Sequence, residues 1–319
     1  MTCFRLVSFA LGLAAVLHPA SARQPGQPVK AHAALVHAVA VSPDGKTLAT
    51  AGFDGAVKVW DIAADGTLKE VKALAGHTGP VYAVAFAPDG KTLATAGLDK
   101  SARLWTLADG KTTKEFKGHT DIVDAVAFAP DGKTLATAGA DKSVRLWNPV
   151  EGKELKNLGG HAGSVYSVAF APDGKTLASA GGDNLVKVWD VPGQKELKVL
   201  KGHDQPVTGV TFAGDANTLV SVSMDRTIRV WDVAGGKESK KLGPTPDDPY
   251  GVAWSPAAKA IAVCGYSGRL SVWPPAADKP SFTHSVKSPG YCVAFTADGK
   301  ALISGHDNGS VVVTPVAAK

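Results

Sequence analysis

The chain has 319 residues, 45% of them hydrophobic and 20% charged, with a formal net charge of +5. That balance supplies one large or two average domains with a sizeable core, and it excludes a disordered or fibrous chain. Thirty-five Gly and twenty Pro favour a turn-rich all-β protein, while the charges are interspersed apart from Lys237, Lys240 and Lys241, which read as a solvated face and not as a nucleic-acid site.

In chain order, the first segment stands apart. Arg5 precedes an apolar run from Leu6 to Leu17, and Ala20-Ser21-Ala22 follows. This charge, apolar core and small-residue order is that of a secretory signal cut after Ala22. Residues 1–22 are therefore assigned to a signal peptide and 23–319 to a single domain. The run is too short to span a bilayer comfortably, so the expectation is an exported chain, periplasmic or secreted, without membrane insertion after cleavage. Removal of Cys3 would leave Cys264 and Cys292, both inside expected strands. A buried free Cys there acts as a small hydrophobe, and whether the two pair stays open.

The body of the chain repeats. Val84 to Gly97 and Val126 to Gly139 are identical, and Val168 to Gly181 differs only at Ser179. Each copy reads as an alternating strand, a Pro-Asp-Gly turn, a second strand rich in Thr and Ala, and a third strand ending in Trp. Trp60, Trp105, Trp147, Trp189, Trp231 and Trp273 are spaced by 45, 42, 42, 42 and 42 residues, and a seventh equivalent falls at Thr314. A unit of this kind cannot bury its faces alone, and a period in the low forties with four short strands marks propeller blades. Gly-His recurs at Gly76-His77, Gly118-His119, Gly160-His161 and Gly202-His203, with Ala31-His32 in register, and Trp-Asp at 60–61, 189–190 and 231–232.

With these motifs the chain resembles the WD40-repeat β-propeller family over essentially all of its length after the signal. The expected fold is all-β, a seven-bladed β-propeller of four-stranded antiparallel blades. Only five residues follow Thr314, too few for an outer strand, whereas Gln24 to Lys30 is in register with outer strands such as Lys195 to Lys201. The N-terminal strand is therefore expected to close the ring on the last blade, as in the family, which removes a free edge. Pro25 and Pro28 are tolerable in an outermost strand and should leave it weakly held. A closed ring needs no partner subunit, so the chain is expected to be monomeric by itself.

Each of the first five repeats carries a His, a hydroxyl, an Asp and a Trp. The sets are His32, Thr50, Asp54, Trp60; His77, Thr95, Asp99, Trp105; His119, Thr137, Asp141, Trp147; His161, Ser179, Asp183, Trp189; and His203, Ser221, Asp225, Trp231. The residue types suggest a hydrolytic triad, but an active site is needed once and a packing device in every blade. The resemblance implies a hydrogen-bonded chain from Asp through His and hydroxyl to the indole, letting a large ring be buried with its N–H satisfied. No catalytic residue is assigned. The sixth repeat has Thr245, Val263 and Ser267 beside Trp273, and the seventh has Val286, Ser304, Asn308 and Thr314, with His284 and His306 out of register. These two blades are expected to be the looser ones.

Function is sought in what varies against the repeat. The second residue of each innermost strand lies, in this family, at the rim of the central channel, and reads His37, Tyr82, Asp124, Tyr166, Thr208, Tyr250 and Tyr291. Four of the chain's five tyrosines stand there. The fifth, Tyr266, precedes the turn position, and its equivalents Phe53, Leu98 and Met224 are expected at the same rim. Apolar bodies with hydroxyl tips suit a protein interface, with Asp124 and His37 as orienting polar contacts. The competing role is packing between blades at the mouth. The expectation is a non-catalytic, exported scaffold binding a protein or peptide of unknown identity. The alternative is a hydrolase- or lactonase-like propeller enzyme, or a small-ligand binder, acting in the channel, for which the leftover groups are His37, Asp124, His306 and Asp307. No metal-ligand spacing, nucleophile motif or phosphate-cradling loop occurs, so neither metal nor cofactor is expected.

Overall fold

Alternating apolar residues joined by tight polar turns fold each repeat into an antiparallel meander. The computed structural model describes residues 26–316; the signal read at 1–22 and the Gln24–Pro25 end of the closing stretch lie outside them. In the third blade the strands are Val123–Phe128, Leu135–Gly139, Val144–Asn148 and Lys153–Asn157, paired in that order. Its Pro-Asp-Gly turn works through two devices: the Asp131 carboxylate accepts from the Lys133 N–H at 2.9 Å, and Gly132 takes φ +71°, a conformation that costs Gly little. The described residues form seven such four-stranded sheets arranged as a ring, with no helix. The fold is a seven-bladed β-propeller.

The core lies between blades rather than within them. Where blades three and four meet, Ala136, Ala138, Val144 and Leu146 pack on Val165, Val168, Leu177 and Trp189, and the other six junctions repeat the arrangement. Six of the seven junctions receive a Trp from the later blade. Burying one indole of ~200 Å2 at ~25 cal/mol/Å2 contributes up to about 5 kcal/mol. Second strands are buried along most of their length, whereas the outer strand Lys153–Asn157 is exposed throughout. Stacking, not the single blade, makes the fold stable.

The ring closes through the N-terminus, but over a shorter span than Gln24 to Lys30. Among the described residues of that stretch, only Val29–Lys30 forms a strand, opposite Val311 and Ser310 of the last blade. The joint is reinforced just beyond it. The Gly309 carbonyl accepts from the N–H groups of both Ala31 and His32 at 2.9 Å, and Lys30 Nζ reaches the Asn308 carbonyl. Two ladder positions and three anchoring bonds thus do the work that a four- to seven-residue outer strand does elsewhere.

Candidate functional site: the mouth of the central channel

Each innermost strand is interrupted at its second residue. In blade one Val36 pairs with Gly52 and Ala38 with Ala51, so His37 faces no partner. The same one-residue bulge falls at Tyr82, Asp124, Tyr166, Thr208, Tyr250 and Tyr291. A bulge bends its strand and re-aims the extra side chain. Seven bulges at one level turn seven side chains toward the axis, where all line a cavity of about 520 Å3 together with Met224. The residue after each bulge is small (Ala in the first three blades, then Ser167, Gly209, Gly251 and Cys292), and the next is Val in all seven. The cavity therefore has a polar and aromatic mouth above a valine collar.

The mouth is divided. Blades six, seven, one and two carry a connected aromatic arc: Tyr250 stacks on Tyr291 with ring centroids 5.1 Å apart, Tyr291 lies 6.3 Å from His37, and His37 meets Tyr82 at 4.9 Å. Phe53 closes the arc from outside, stacked on His37 at 5.4 Å and 4.9 Å from Tyr82. The opposite half holds Asp124, Tyr166, Thr208 and Met224. Of the four residues expected at the rim just before the turn position, Met224 lines the cavity; Leu98 and Tyr266 are exposed and do not line it, and Phe53 backs the rings. Some rim side chains also tie blades together. Thr208 Oγ1 donates to the Pro249 carbonyl at 2.7 Å, and His37 Nδ1 donates to the Tyr82 carbonyl at 2.7 Å.

Electrostatics single out one group. Among the described residues Asp124 is the only carboxylate lining the cavity, and no Lys or Arg lines it. Its Oδ2 is buried with no hydrogen-bond partner among the described residues. Burial, with the charges of Asp121 and Asp141 adding to it, pushes its carboxyl up to about 7. Burial likewise lowers His37, so the imidazole is neutral. Among the described residues no group of three or more His, Cys, Asp or Glu could hold a metal ion. Cys264 and Cys292 are both free, and burial raises the Cys264 thiol to about 12.

The His–hydroxyl–Asp–Trp sets lie away from this mouth, inside the blades. In blade three Asp141 accepts from His119 Nδ1 at 2.9 Å, Thr137 Oγ1 donates to His119 Nε2 at 2.7 Å, and the Trp147 indole donates to the same oxygen at 2.8 Å. The other four sets repeat the chain with distances of 2.7–3.0 Å. The proton order matches a hydrolytic triad, but the hydroxyls of Thr50, Thr95, Thr137, Ser179 and Ser221 are 0% exposed and already hold an indole. No substrate carbonyl can approach them. The Gly before each His has a steric cause: a Cβ on Gly76, Gly118, Gly160 or Gly202 would sit 2.3–3.2 Å from the tip of the Trp ring.

Blades six and seven rebuild the chain with other residues. Trp273 donates to Ser271 Oγ in its own strand at 2.8 Å, and Asp247 takes the Ser267 N–H. In blade seven His306 is 0% exposed, with Nδ1 donating to the Ser288 carbonyl at 2.9 Å and Nε2 accepting from Ser304 Oγ at 2.8 Å, while Asp307 accepts from Ser288. Counted beforehand among the leftover channel groups, His306 and Asp307 are instead part of the blade's own polar network, and neither lines the cavity. Thr314, at the missing Trp's position, leaves its buried Oγ1 without a hydrogen-bond partner among the described residues. Sequence spacing missed Ser271, Asp247 and Ser288 because each supplies its atom from a new register. It also passed over Ser167, whose hydroxyl accepts from the Val210 N–H of the next blade. The signal available for Ser167 was its place in a column otherwise filled by Ala, Gly and Cys.

A closed ring of four-stranded blades, five of them tied by Asp–His–hydroxyl–Trp chains, defines a WD-type propeller. Residues 23–61, 68–106, 110–148, 152–190 and 194–232 each match the WD domain, G-beta repeat. The chain belongs to the WD40-repeat family. The matched stretches stop where the His–Asp–Trp signature lapses, although two further blades follow. No curated protein matches the chain.

Proposed function

We propose that the protein is a non-catalytic scaffold that docks a protein or peptide on the channel mouth, and that it does so outside the cytoplasm. One observation carries the docking reading. The structural chains repeat from blade to blade, whereas the seven bulged positions differ and concentrate four of the five tyrosines in one ring. Tyr166 at 40% and Tyr266 at 59% exposed offer large apolar bodies with polar tips to solvent, a composition favoured at interfaces. The family is in keeping with such a role, although fold alone does not fix function. Export rests on the Arg5, Leu6–Leu17 and Ala20-Ser21-Ala22 pattern.

A photo-crosslinking amino acid placed at Tyr166, or at Leu155 on the exposed outer strand of blade three, tests this reading. Defined adducts from position 166 and none from 155, in the extracytoplasmic fraction, are expected. Equal labelling from both positions would overturn it.

A further inference from the structure

We infer that the docked partner presents one basic side chain to the channel mouth, an arginine or a lysine, with Asp124 as its counter-ion and the aromatic arc beside it. The inference rests on the docking reading and names the chemistry of its partner.

The molecule is basic as a whole, with 34 Lys and Arg against 29 Asp and Glu, yet its channel is the reverse. Among the described residues the cavity is lined by one carboxylate and by no cationic side chain. That carboxylate is the odd one among its neighbours. Asp141 accepts from His119, Ser143 and the Thr120 N–H, and Asp121 accepts from the Ile122 N–H, but Asp124 Oδ2 has no such bond among the described residues. Buried polar groups are nearly always satisfied, and a buried carboxylate without a partner is costly. A cation entering the mouth would remove that cost.

The rest of the mouth suits the same ligand. Tyr82, Tyr250 and Tyr291 line the same cavity, and an aromatic ring attracts a cation through its quadrupole. His37, which could compete for Asp124 as an imidazolium, donates its Nδ1 proton to a carbonyl and is held neutral by burial. A cavity of about 520 Å3 admits a side chain, not a helix of ~10 Å diameter. An acidic residue would meet Asp124 as a like charge, and an apolar plug would leave Oδ2 buried and unpaired. Arginine fits better than lysine, since its planar guanidinium can stack on a ring and bond a carboxylate together.

The test uses four blocked heptapeptides with identical Gly-Ser flanks and a central Arg, Lys, Leu or Glu, titrated into the full chain by NMR. The Arg peptide should bind most tightly and Lys next, with Leu and Glu at least about tenfold weaker. Asp124→Asn should weaken the Arg peptide at least about tenfold, abolish its preference over the Leu peptide, and keep the fold by melting temperature; Asp124→Glu should restore part of the Arg affinity. Leu or Glu peptides binding as tightly as Arg, or an Asp124→Asn chain binding Arg undiminished, would overturn the basic-ligand inference. If such unselective binding is still lost on Tyr250→Ala and Tyr291→Ala, the docking reading survives alone. No binding by any of the four at millimolar concentration would sink both.

Discussion

Trp273 Nε1 donates to Ser271 Oγ at 2.8 Å, two residues back along the same strand, although blade six has lost the His and the second-strand hydroxyl that serve this purpose elsewhere. The indole keeps its hydrogen bond because the polar demand of a buried N–H is fixed while its supplier is not. In the first five blades one oxygen serves both an indole and an imidazole; in blade six it serves the indole alone.

That difference sets an order of stability losses. Thr137→Val strips both Trp147 and His119 of a partner and should cost about 2–4 kcal/mol. Ser271→Ala strips only Trp273 and should cost about 1–2 kcal/mol. Urea unfolding of the two variants checks this, and equal losses would contradict the shared-oxygen account.

The Gly-His motif makes a second prediction. A Cβ on Gly160 would lie 2.3 Å from the Trp189 ring and would have to be carried at φ +105°, whereas on Gly118 its nearest neighbour is 2.9 Å away and is the flexible Arg145 side chain. Gly160→Ala should therefore cost about 2–4 kcal/mol and Gly118→Ala about 1–2 kcal/mol, by overpacking and backbone strain. Thermal melts of the pair read this out.

Stability should depend on pH with two opposite slopes. Burial lowers His32, His77, His119, His161 and His203 below their ordinary 6.5, so the unfolded chain takes up protons that the fold refuses. For the paired aspartates burial alone would raise the carboxyl, but hydrogen bonds outweigh it, and Asp225 is held at about 2. Both groups lose stability as pH falls, the histidines below about 6.5 and the aspartates below 3.8. Asp124 runs the other way. Its carboxyl is raised from 3.8 to about 7, so the fold binds the extra proton and stability falls as pH rises across that window. Asp124→Asn should abolish this fall and gain about 1–2 kcal/mol at neutral pH, after allowance for solvent screening. Unfolding curves between pH 4 and 8 for the two chains would show it.

Repetition made much of this molecule readable. The Trp spacing and the Gly-His and Trp-Asp pairs located the blades, and the column of His37, Tyr82, Asp124, Tyr166, Thr208, Tyr250 and Tyr291 was visible as the place where the repeat varies. The bulge that aims that column was not visible, because it is a property of strand register and leaves no mark in residue type. Nor were the roles of Ser271, Asp247 and His306, since an atom can be supplied to the same point from a different register. The closing strand was legible as a partner of the last blade but not in its extent: among the described residues of Gln24 to Lys30 only Val29–Lys30 pairs, and Gly309 anchors the chain just after it.

The rim tyrosines are expected to differ in how much they pack. Tyr166 is 40% exposed, and its replacement by Ala should leave stability within about 0.5 kcal/mol. Tyr250 and Tyr291 stack on each other, and each loss should cost about 1 kcal/mol beyond the area it uncovers. Single-variant melts separate these cases.

The most direct measurement joins the two properties in one chain. Tyr82, Tyr166, Tyr250 and Tyr291 are replaced together by Ala, and partner capture from the extracytoplasmic fraction is compared with the melting temperature. Capture abolished with the melting temperature down by less than about 10 °C is the predicted result. Capture retained at the wild-type level, or a chain that no longer folds cooperatively, would contradict the assignment of this ring to docking.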